Sequence, residues 1–226
     1  MRGIAVINMV IYHLLYDLKY MFLANISFST EKFYIWQQSI CISFIIIAGI
    51  SLNFNSKKLK QGLKLLAVSV IISALTHVFI REFAIYFGII HFLALGVISI
   101  SIFESFIDRL PALTGLILNM SAFLFYRSNF FNSSEFYRNV YGFLSKFKLG
   151  FILGFPSPRF YSSDYFPIFP WIFLLLFGYF LGKIINFDKI LNINKKNILV
   201  KIGQNSLIIY LAHQVIIYSV VSIIFS

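Results

Sequence analysis

The chain has 226 residues, of which 59% are hydrophobic and only 12% are charged, and its mean hydropathy is +0.85. A soluble domain carries about 25% charged residues, so this composition excludes a water-facing globule and predicts an all-α polytopic membrane protein. Lys and Arg number nineteen against eight Asp and Glu. In a membrane protein this excess indicates topology and anionic lipid headgroups, and we expect no nucleic-acid partner.

Seven apolar stretches follow one another, each close to the roughly 20 residues that a membrane-spanning helix needs. We predict a bundle of about seven transmembrane helices, at residues 3–23, 36–54, 63–80, 85–106, 110–126, 165–185 and 198–225. The first stretch lacks a small-residue cleavage site, so we expect a retained helix rather than a signal peptide. Residues 127–164 form a long aromatic connection, predicted to be an outer cap or re-entrant segment. The whole chain, residues 1–226, is predicted to be a single transmembrane domain.

The basic residues predict the orientation of this bundle. With the N-terminus inside, the cytoplasmic ends and connections collect most of the basic residues, including Arg2, Lys57, Lys189, Lys195 and Lys196. The short outer loops then hold few of them, as the positive-inside rule requires. We therefore predict the N-terminus in and the C-terminus out.

Ionisable side chains inside a bilayer are costly and usually mark a functional site. Six of them map to the outer half of the predicted bundle: His13, Asp17, His77, His91, Asp164 and His213. His91 is expected about two turns into the fourth helix, and Asp164 at the outer start of the sixth. His77 lies near the interface, and we assign it to structure.

His13 and Asp17 are spaced i, i+4, so they share a helix face, and the carboxylate can orient the imidazole as a general base. The alternative is a buried polar pair that ties the first helix to its neighbours. In the last helix Tyr210 and His213 also share a face, and Gln214 follows Tyr210 by four residues. For His91 and His213 an interhelical hydrogen bond is the alternative to a functional role.

Other chemistries lack their sequence signatures. No His-x-x-x-His spacing and no cysteine pair is present, so we predict no metal site. The sequence contains neither the G-x-S-x-G motif of a serine hydrolase nor the P-loop of a nucleoside triphosphatase. Arg2 and Gly3, at the inner end of the first helix, predict either phosphate binding or simple positive-inside anchoring.

Five segments in chain order carry a family resemblance: RGIAVINMVIYHLLYDL at 2–18, FIIIAGISL at 44–52, YFGIIHFLAL at 86–95, DYFPIFPWIFLLLFGYFLG at 164–182 and GQNSLIIYLAHQ at 203–214. They resemble the heparan-alpha-glucosaminide N-acetyltransferase catalytic-domain family, in its small bacterial branch. The wider acyltransferase-3 group shares the Arg-Gly start, the histidine of the first helix and the Tyr-Leu-x-His ending. That group is the neighbouring interpretation.

The resemblance implies acyl transfer across a membrane. Acyl-CoA arrives from the cytoplasm as donor substrate, without a tightly bound cofactor, and an amino sugar or other glycan is modified on the far side. By position, Arg2 and Gly3 match the family's Arg-Gly motif, and His13 matches its polar residue in the first helix.

Two features depart from the family pattern. Larger members carry a catalytic histidine in the loop after the first helix, and residues 19–38 contain none. Members also carry an acidic residue and a short segment before Arg-Gly. This chain starts at Met1, which fits a start at an internal methionine of a longer protein.

Together these observations predict an integral acyltransferase of a bacterial cytoplasmic membrane that moves an acyl group, most simply acetyl, from acetyl-CoA to an extracytoplasmic glycan. The alternative is a non-enzymatic transporter or channel that uses the His/Asp cluster. Besides the donor and the acceptor, we expect the lipid bilayer and a possible second copy of the chain as partners. We assign His13 as the base, Asp17 as its orienting partner and His91 to the acid–base work or the acyl channel. The remaining assignments are acceptor or transition-state contacts for Asp164, Tyr210, His213 and Gln214, and donor binding for Arg2 and Gly3.

Overall fold

The computed structural model describes residues 2–20, 29–79, 81–185 and 197–225. In these ranges the chain is helical, and its one β-type contact is an isolated bridge between Phe87 and Tyr165. Apolar stretches fold this way because backbone polar groups facing lipid are satisfied only within their own helix. The helices are α1 (Arg2–Tyr20), α2 (Thr30–Leu52), α3 (Lys58–Phe79), α4 (Ile89–Ile107), α5 (Ala112–Tyr126), α6 (Asn129–Asn132), α7 (Glu135–Leu144), α8 (Gly150–Leu153), α9 (Ile168–Ile184), α10 (Ile198–Gln204) and α11 (Ser206–Phe225).

Four helices in the described part of the chain are long and apolar enough to cross a membrane: α2, α3, α4 and the Ser206–Ile224 part of α11. The helices α5 and α9 are apolar but shorter, with 15 and 17 residues. The prediction of an α-helical membrane protein is confirmed in this form. Seven spans, the orientation and a single domain over the whole chain stay predictions.

Several predicted helix boundaries differ from the structure: the second and third helices begin five or six residues earlier than predicted, at Thr30 and Lys58. The fourth helix begins at Ile89 and the sixth at Ile168, because the two segments before them lie side by side as extended chain. There the Ser163 amide donates to the Ala84 carbonyl at 3.2 Å and the Phe166 amide to the Phe87 carbonyl at 2.9 Å. The last predicted helix is divided at Asn205 into α10 and α11.

Some predictions fall on other parts of the chain. Residues 21–23 of the first predicted helix, Ile80 of the third, and the predicted cytoplasmic residues Lys189, Lys195 and Lys196 lie outside the described residues. The predicted cap, residues 127–164, contains the three short helices α6, α7 and α8.

The described residues form two compact units. One contains α1, the first part of α2 up to Ile47, and α10 and α11 from the other end of the chain. The other, residues 48–185, contains the rest of α2 and α3 to α9.

In the unit of residues 48–185, successive long helices reverse direction. Gly115 near the start of α5 lies against the Phe180 ring late in α9, whereas Phe123 late in α5 lies 5.8 Å from Trp171 early in α9. These two helices are therefore antiparallel. The α4 helix runs parallel to α9, since the segments before both helices pair and residues at both C-terminal ends, Asp108 and Lys183, form an ion pair.

In the other unit, α1 runs parallel to α10 and α11. Gly3 lies against the backbone of Leu199, the ring of His13 against that of His213, and the carboxylate of Asp17 against Gln214. The α1 helix therefore lies alongside α10 and α11 over nearly its whole length. This arrangement brings the polar residues of α1 and α11 together.

Candidate active site

The imidazole of His213 is fixed at one nitrogen and open at the other. Its Nδ1 lies 2.6 Å from the carbonyl oxygen of Tyr210. A carbonyl oxygen has no proton to give, so Nδ1 carries the hydrogen and donates, and the lone pair of the neutral ring is on Nε2. That Nε2 is buried and has no hydrogen-bond partner among the described residues. Since buried polar groups are normally paired, His213 presents a proton acceptor that is ready for a ligand.

The His13 ring of α1 lies against the His213 ring. The two imidazole centroids are 4.8 Å apart, with their planes at 60°. The His13 ring also meets the edge of the Tyr12 ring at 5.5 Å. The structure therefore brings two predicted site residues, 200 positions apart in the sequence, within reach of one small group.

Asp17 bonds to α11 rather than to His13. Its carboxylate is buried, and Oδ2 accepts a 2.9 Å hydrogen bond from Nε2 of Gln214. The i, i+4 spacing does place His13 and Asp17 on one face, but that face is covered by α11, which supplies a nearer donor. Since the amide nitrogen of Gln214 points at Asp17, its Oε1 points away, and this buried oxygen has no partner among the described residues.

Arg2 and Gly3 lie where α1 meets α10. A Cβ on Gly3 would be 2.1 Å from the Leu199 carbonyl oxygen, and one on Gly203 would be 3.3 Å from the Arg2 side chain. Gly3 therefore permits close helix packing. Arg2 is half-buried and forms no ion pair with any described residue, so its charge is available to an anion.

An apolar cleft lies along α11 beside Val10 of α1. It has a volume of about 260 Å³ and is lined by Val10 of α1 and six residues of α11. His213 is the polar side chain of that lining. An acyl chain or another slender apolar group suits such a surface.

His91 and Asp164 form a separate arrangement at the N-terminus of α4. Contrary to the sequence prediction, His91 is in the first turn of α4 rather than two turns inside it, because the helix begins at Ile89. Its Nδ1 accepts from the Gly88 amide at 3.2 Å, and Nε2 lies 3.0 Å from the hydroxyl of Ser73, which donates to the Ile85 carbonyl. Both ring nitrogens are therefore engaged in holding α3 to the start of α4.

Asp164 also serves this helix end. It does not open α9, which begins four residues later; its Oδ2 accepts from the Ile89 amide at 3.1 Å. A carboxylate there satisfies a free amide and interacts favourably with the helix dipole. Gly88 leaves room for it, since a Cβ at that position would be 2.4 Å from Asp164 Oδ2.

The sequence analysis did not predict a polar network at the C-terminal end of α4, the end opposite to His91. The hydroxyl of the buried Tyr179 lies 2.8 Å from Asp108 Oδ1 and 3.1 Å from Glu104 Oε1. Lys183 pairs with Asp108 at 2.5 Å, and Lys58 pairs with Glu104 at 2.8 Å. Glu104 and Asp108 are spaced i, i+4, as are Tyr179 and Lys183, so a helix-face search for charge pairs would have found it.

Replacing Tyr179 with Phe should lower stability at neutral pH by about 1.5 kcal/mol, because it removes hydrogen bonds to charged carboxylates while keeping the ring. Partial burial would raise the pKa of the Asp108 carboxyl, but Lys183 and Tyr179, with the charge of Lys58, outweigh it and lower that pKa. The stabilisation is therefore present above the ordinary carboxyl pKa of about 3.9 and is lost as pH falls through the lowered value. Melting in detergent at pH 7 and in acid measures this difference. The exposed Tyr161→Phe is the control, and a difference that grows in acid would contradict the network.

No group of three His, Cys, Asp or Glu residues that could hold a metal ion occurs in the ranges that the structure describes. The imidazoles of His213 and His13 are groups that can accept or donate a proton. The site offers an imidazole lone pair, a second imidazole, an amide oxygen and an unpaired arginine. These groups suit the transfer of a group from a donor that carries negative charge.

The comparison with family models agrees with this chemistry. The model of the heparan-alpha-glucosaminide N-acetyltransferase catalytic domain matches residues 1–215. The chain belongs to this family, and its membership indicates a membrane N-acetyltransferase. The searches of curated proteins and of solved structures gave no match.

Proposed function

We propose that this protein transfers an acetyl group from acetyl-CoA on the cytoplasmic side to the amine of an extracytoplasmic amino sugar. Membership in the N-acetyltransferase family supports the reaction class. The observation that carries the mechanism is the buried Nε2 of His213, which lacks a partner in the described part of the chain, in a ring that lies 4.8 Å from the His13 ring.

Arg2 and the apolar cleft suit the two ends of the donor. Arg2 precedes His13 by eleven positions in one helix, which corresponds to about 16 Å of axial rise. A phosphate group held by Arg2 would leave the extended thioester arm of acyl-CoA to follow α1 towards the histidines. The cleft lined by Val10 and α11, with His213 in its lining, offers an apolar surface to that arm.

His213 takes the role of base in this proposal. The sequence assigned that role to His13, with Asp17 as orienter, but in the structure the oriented ring is His213, through Tyr210, and Asp17 orients Gln214. A fixed tautomer with a free lone pair is what a general base requires. His13 is then placed to donate a hydrogen bond to the carbonyl oxygen of the thioester, where negative charge develops.

The reaction balances with these groups. The amine nitrogen attacks the thioester carbon, its proton moves to His213 Nε2, and a carbon–nitrogen bond forms. The carbon–sulfur bond then breaks, and the same proton leaves with the thiolate as CoA thiol. Gln214 Oε1 accepts a hydrogen bond from the incoming amine, which helps to aim its lone pair.

Transfer of radiolabel tests this function. Purified protein in liposomes is incubated with acetyl-CoA labelled in the acetyl group and a panel of amino sugars and hydroxyl-only sugars. We expect label on the amino sugars at a rate that depends on protein. Movement of solute across the liposome without any labelled product would support the transporter alternative and contradict acetyl transfer.

Arg2→Ala should weaken acetyl-CoA binding by roughly 10- to 100-fold, since one charge-assisted contact to phosphate is lost. Titration of the purified protein with CoA measures it. Arg109→Ala removes the same charge from an exposed position in the other unit and is the control. Equal CoA affinity of Arg2→Ala and wild type would assign Arg2 to membrane anchoring.

A further inference from the structure

The segment between α5 and α9 carries an exposed face that the proposed reaction does not use. Its helices α6, α7 and α8 have 4, 10 and 4 residues, too few to cross a bilayer, which takes about 20. Both ends of the segment join apolar helices, and these form an antiparallel pair. The segment therefore lies at one end of that pair, at the level where membrane meets water.

One side of this segment is already packed. Tyr137 contacts the rings of Tyr126, Phe131 and Phe155, and the Tyr141 hydroxyl donates to the Pro156 carbonyl at 2.8 Å. This inner side anchors α7 to the rest of its unit. The exposed aromatic residues on the other side of the segment are therefore separate from this packed aromatic core.

The other side exposes large apolar side chains. Phe130 is 80% exposed, Phe136 69%, Phe143 61%, Phe147 54% and Leu149 65%. Phe136 and Phe143 are seven residues apart and so share a face of α7. Phe and Leu side chains exposed beside basic residues are typical of segments that lie in the interfacial region of a bilayer.

Cations are interleaved with these rings. Arg138, Lys146 and Lys148 are exposed and form no ion pair with any described residue. Residues 127–164 contain five basic and two acidic residues, and one of the acidic residues, Asp164, is occupied at the start of α4. An open groove of about 480 Å³ beside Phe130, lined also by Asn129, Ser133 and Ser134, adds amide and hydroxyl groups.

We propose that this face, formed by Phe136, Phe143, Lys146, Phe147 and Lys148, binds the anionic phosphate headgroups of the lipid bilayer. The rings insert at headgroup depth while the cations pair with lipid phosphates, the combination by which amphipathic segments lie in an interface. Charge complementarity selects an anionic lipid surface over a neutral one. The groove beside Phe130 supplies hydrogen bonds to glycerol and phosphate oxygens.

Lipid selectivity tests the proposal. The full chain is purified in detergent and titrated with phosphatidylglycerol or phosphatidylcholine, and bound lipid is counted by native mass spectrometry. Wild type should prefer phosphatidylglycerol, and Lys146→Gln and Lys148→Gln should each lower that preference by about fivefold. Glu135→Gln, which removes a negative charge from the same segment, should raise it. Equal binding of both lipids by wild type would overturn the proposal.

The depth of the face gives a second measurement. A spin label is placed at Phe143→Cys in a Cys41→Ala background, and the chain is reconstituted in phosphatidylglycerol vesicles. Lipid-soluble oxygen should relax the label more than a water-soluble nickel chelate does. A label that favours the chelate, or two labels held close together as in a dimer, would assign the face to water or to a second copy and overturn the proposal.

Discussion

Replacing His213 with Asn should abolish acetyl transfer, with turnover falling by about 10²- to 10⁴-fold, the usual contribution of a general base. The amide nitrogen of Asn reaches the Tyr210 carbonyl as Nδ1 does, so the anchoring bond is kept, but nothing replaces the Nε2 lone pair. The protein should stay folded in detergent and bind CoA as before. Turnover of labelled acetyl groups, with CoA binding measured in parallel, separates loss of chemistry from loss of structure.

His77→Gln provides a matched control, because this exposed imidazole lies in the other unit and bonds the Tyr86 hydroxyl at 3.0 Å. It should turn over at the wild-type rate. The comparison with His13→Gln divides the roles of the pair: Gln still donates a hydrogen bond, so this variant should retain part of the rate. Wild-type turnover in His213→Asn, together with none in His13→Gln, would return the base to His13.

Gly3→Ala should prevent assembly of the unit that contains α1, α10 and α11. The added Cβ would lie 2.1 Å from the Leu199 carbonyl oxygen and 3.0 Å from its carbon. Backbone atoms cannot rotate away as a flexible side chain does, so the helices must separate, and overpacking of this kind costs about 1–3 kcal/mol or more. We expect a large fall in the yield of monodisperse protein and in the melting temperature of what remains.

Gly142→Ala is the opposite case and the control for it. No heavy atom lies within 4 Å of a Cβ at Gly142, which is exposed in α7. Because Ala favours a helix over Gly by about 1 kcal/mol, this change should leave the protein unaffected or slightly more stable. A Gly3→Ala protein that melts like Gly142→Ala would show that α1 and α10 are not this close in solution.

The sequence shows which site residues share a helix face, but it does not show which residues of another helix they contact. The spacing of His13 and Asp17 fixes a common helix face, and the structure has both facing α11. Which donor meets Asp17 depends on the helix that packs there, and Gln214 is 197 residues away. The same limit applies to His213, whose hydrogen bond to Tyr210 is local but whose neighbour His13 comes from the other end of the chain.

Asp164 precedes an apolar helix, as the sequence predicts, but its carboxylate bonds to the start of a different helix. The sequence places it just before an apolar helix, where an acidic residue commonly caps the helix that follows. Extended chain up to Pro167 delays the start of α9, and the carboxylate instead reaches an amide 75 residues away. His91 shifts for a related reason, since residues 84–88 are used in pairing with the segment that carries Asp164.

The pairing of α1 with α10 and α11 has a consequence for biosynthesis. The α1 helix, with His13 and Asp17, leaves the ribosome before the groups that receive them, His213 and Gln214, are made. Throughout translation α1 therefore holds a buried carboxylate without its donor, in a membrane where such a group is costly. A nascent chain that stops before α11 keeps that unsatisfied carboxylate. We expect membrane proteases to recognise and degrade such an incomplete chain.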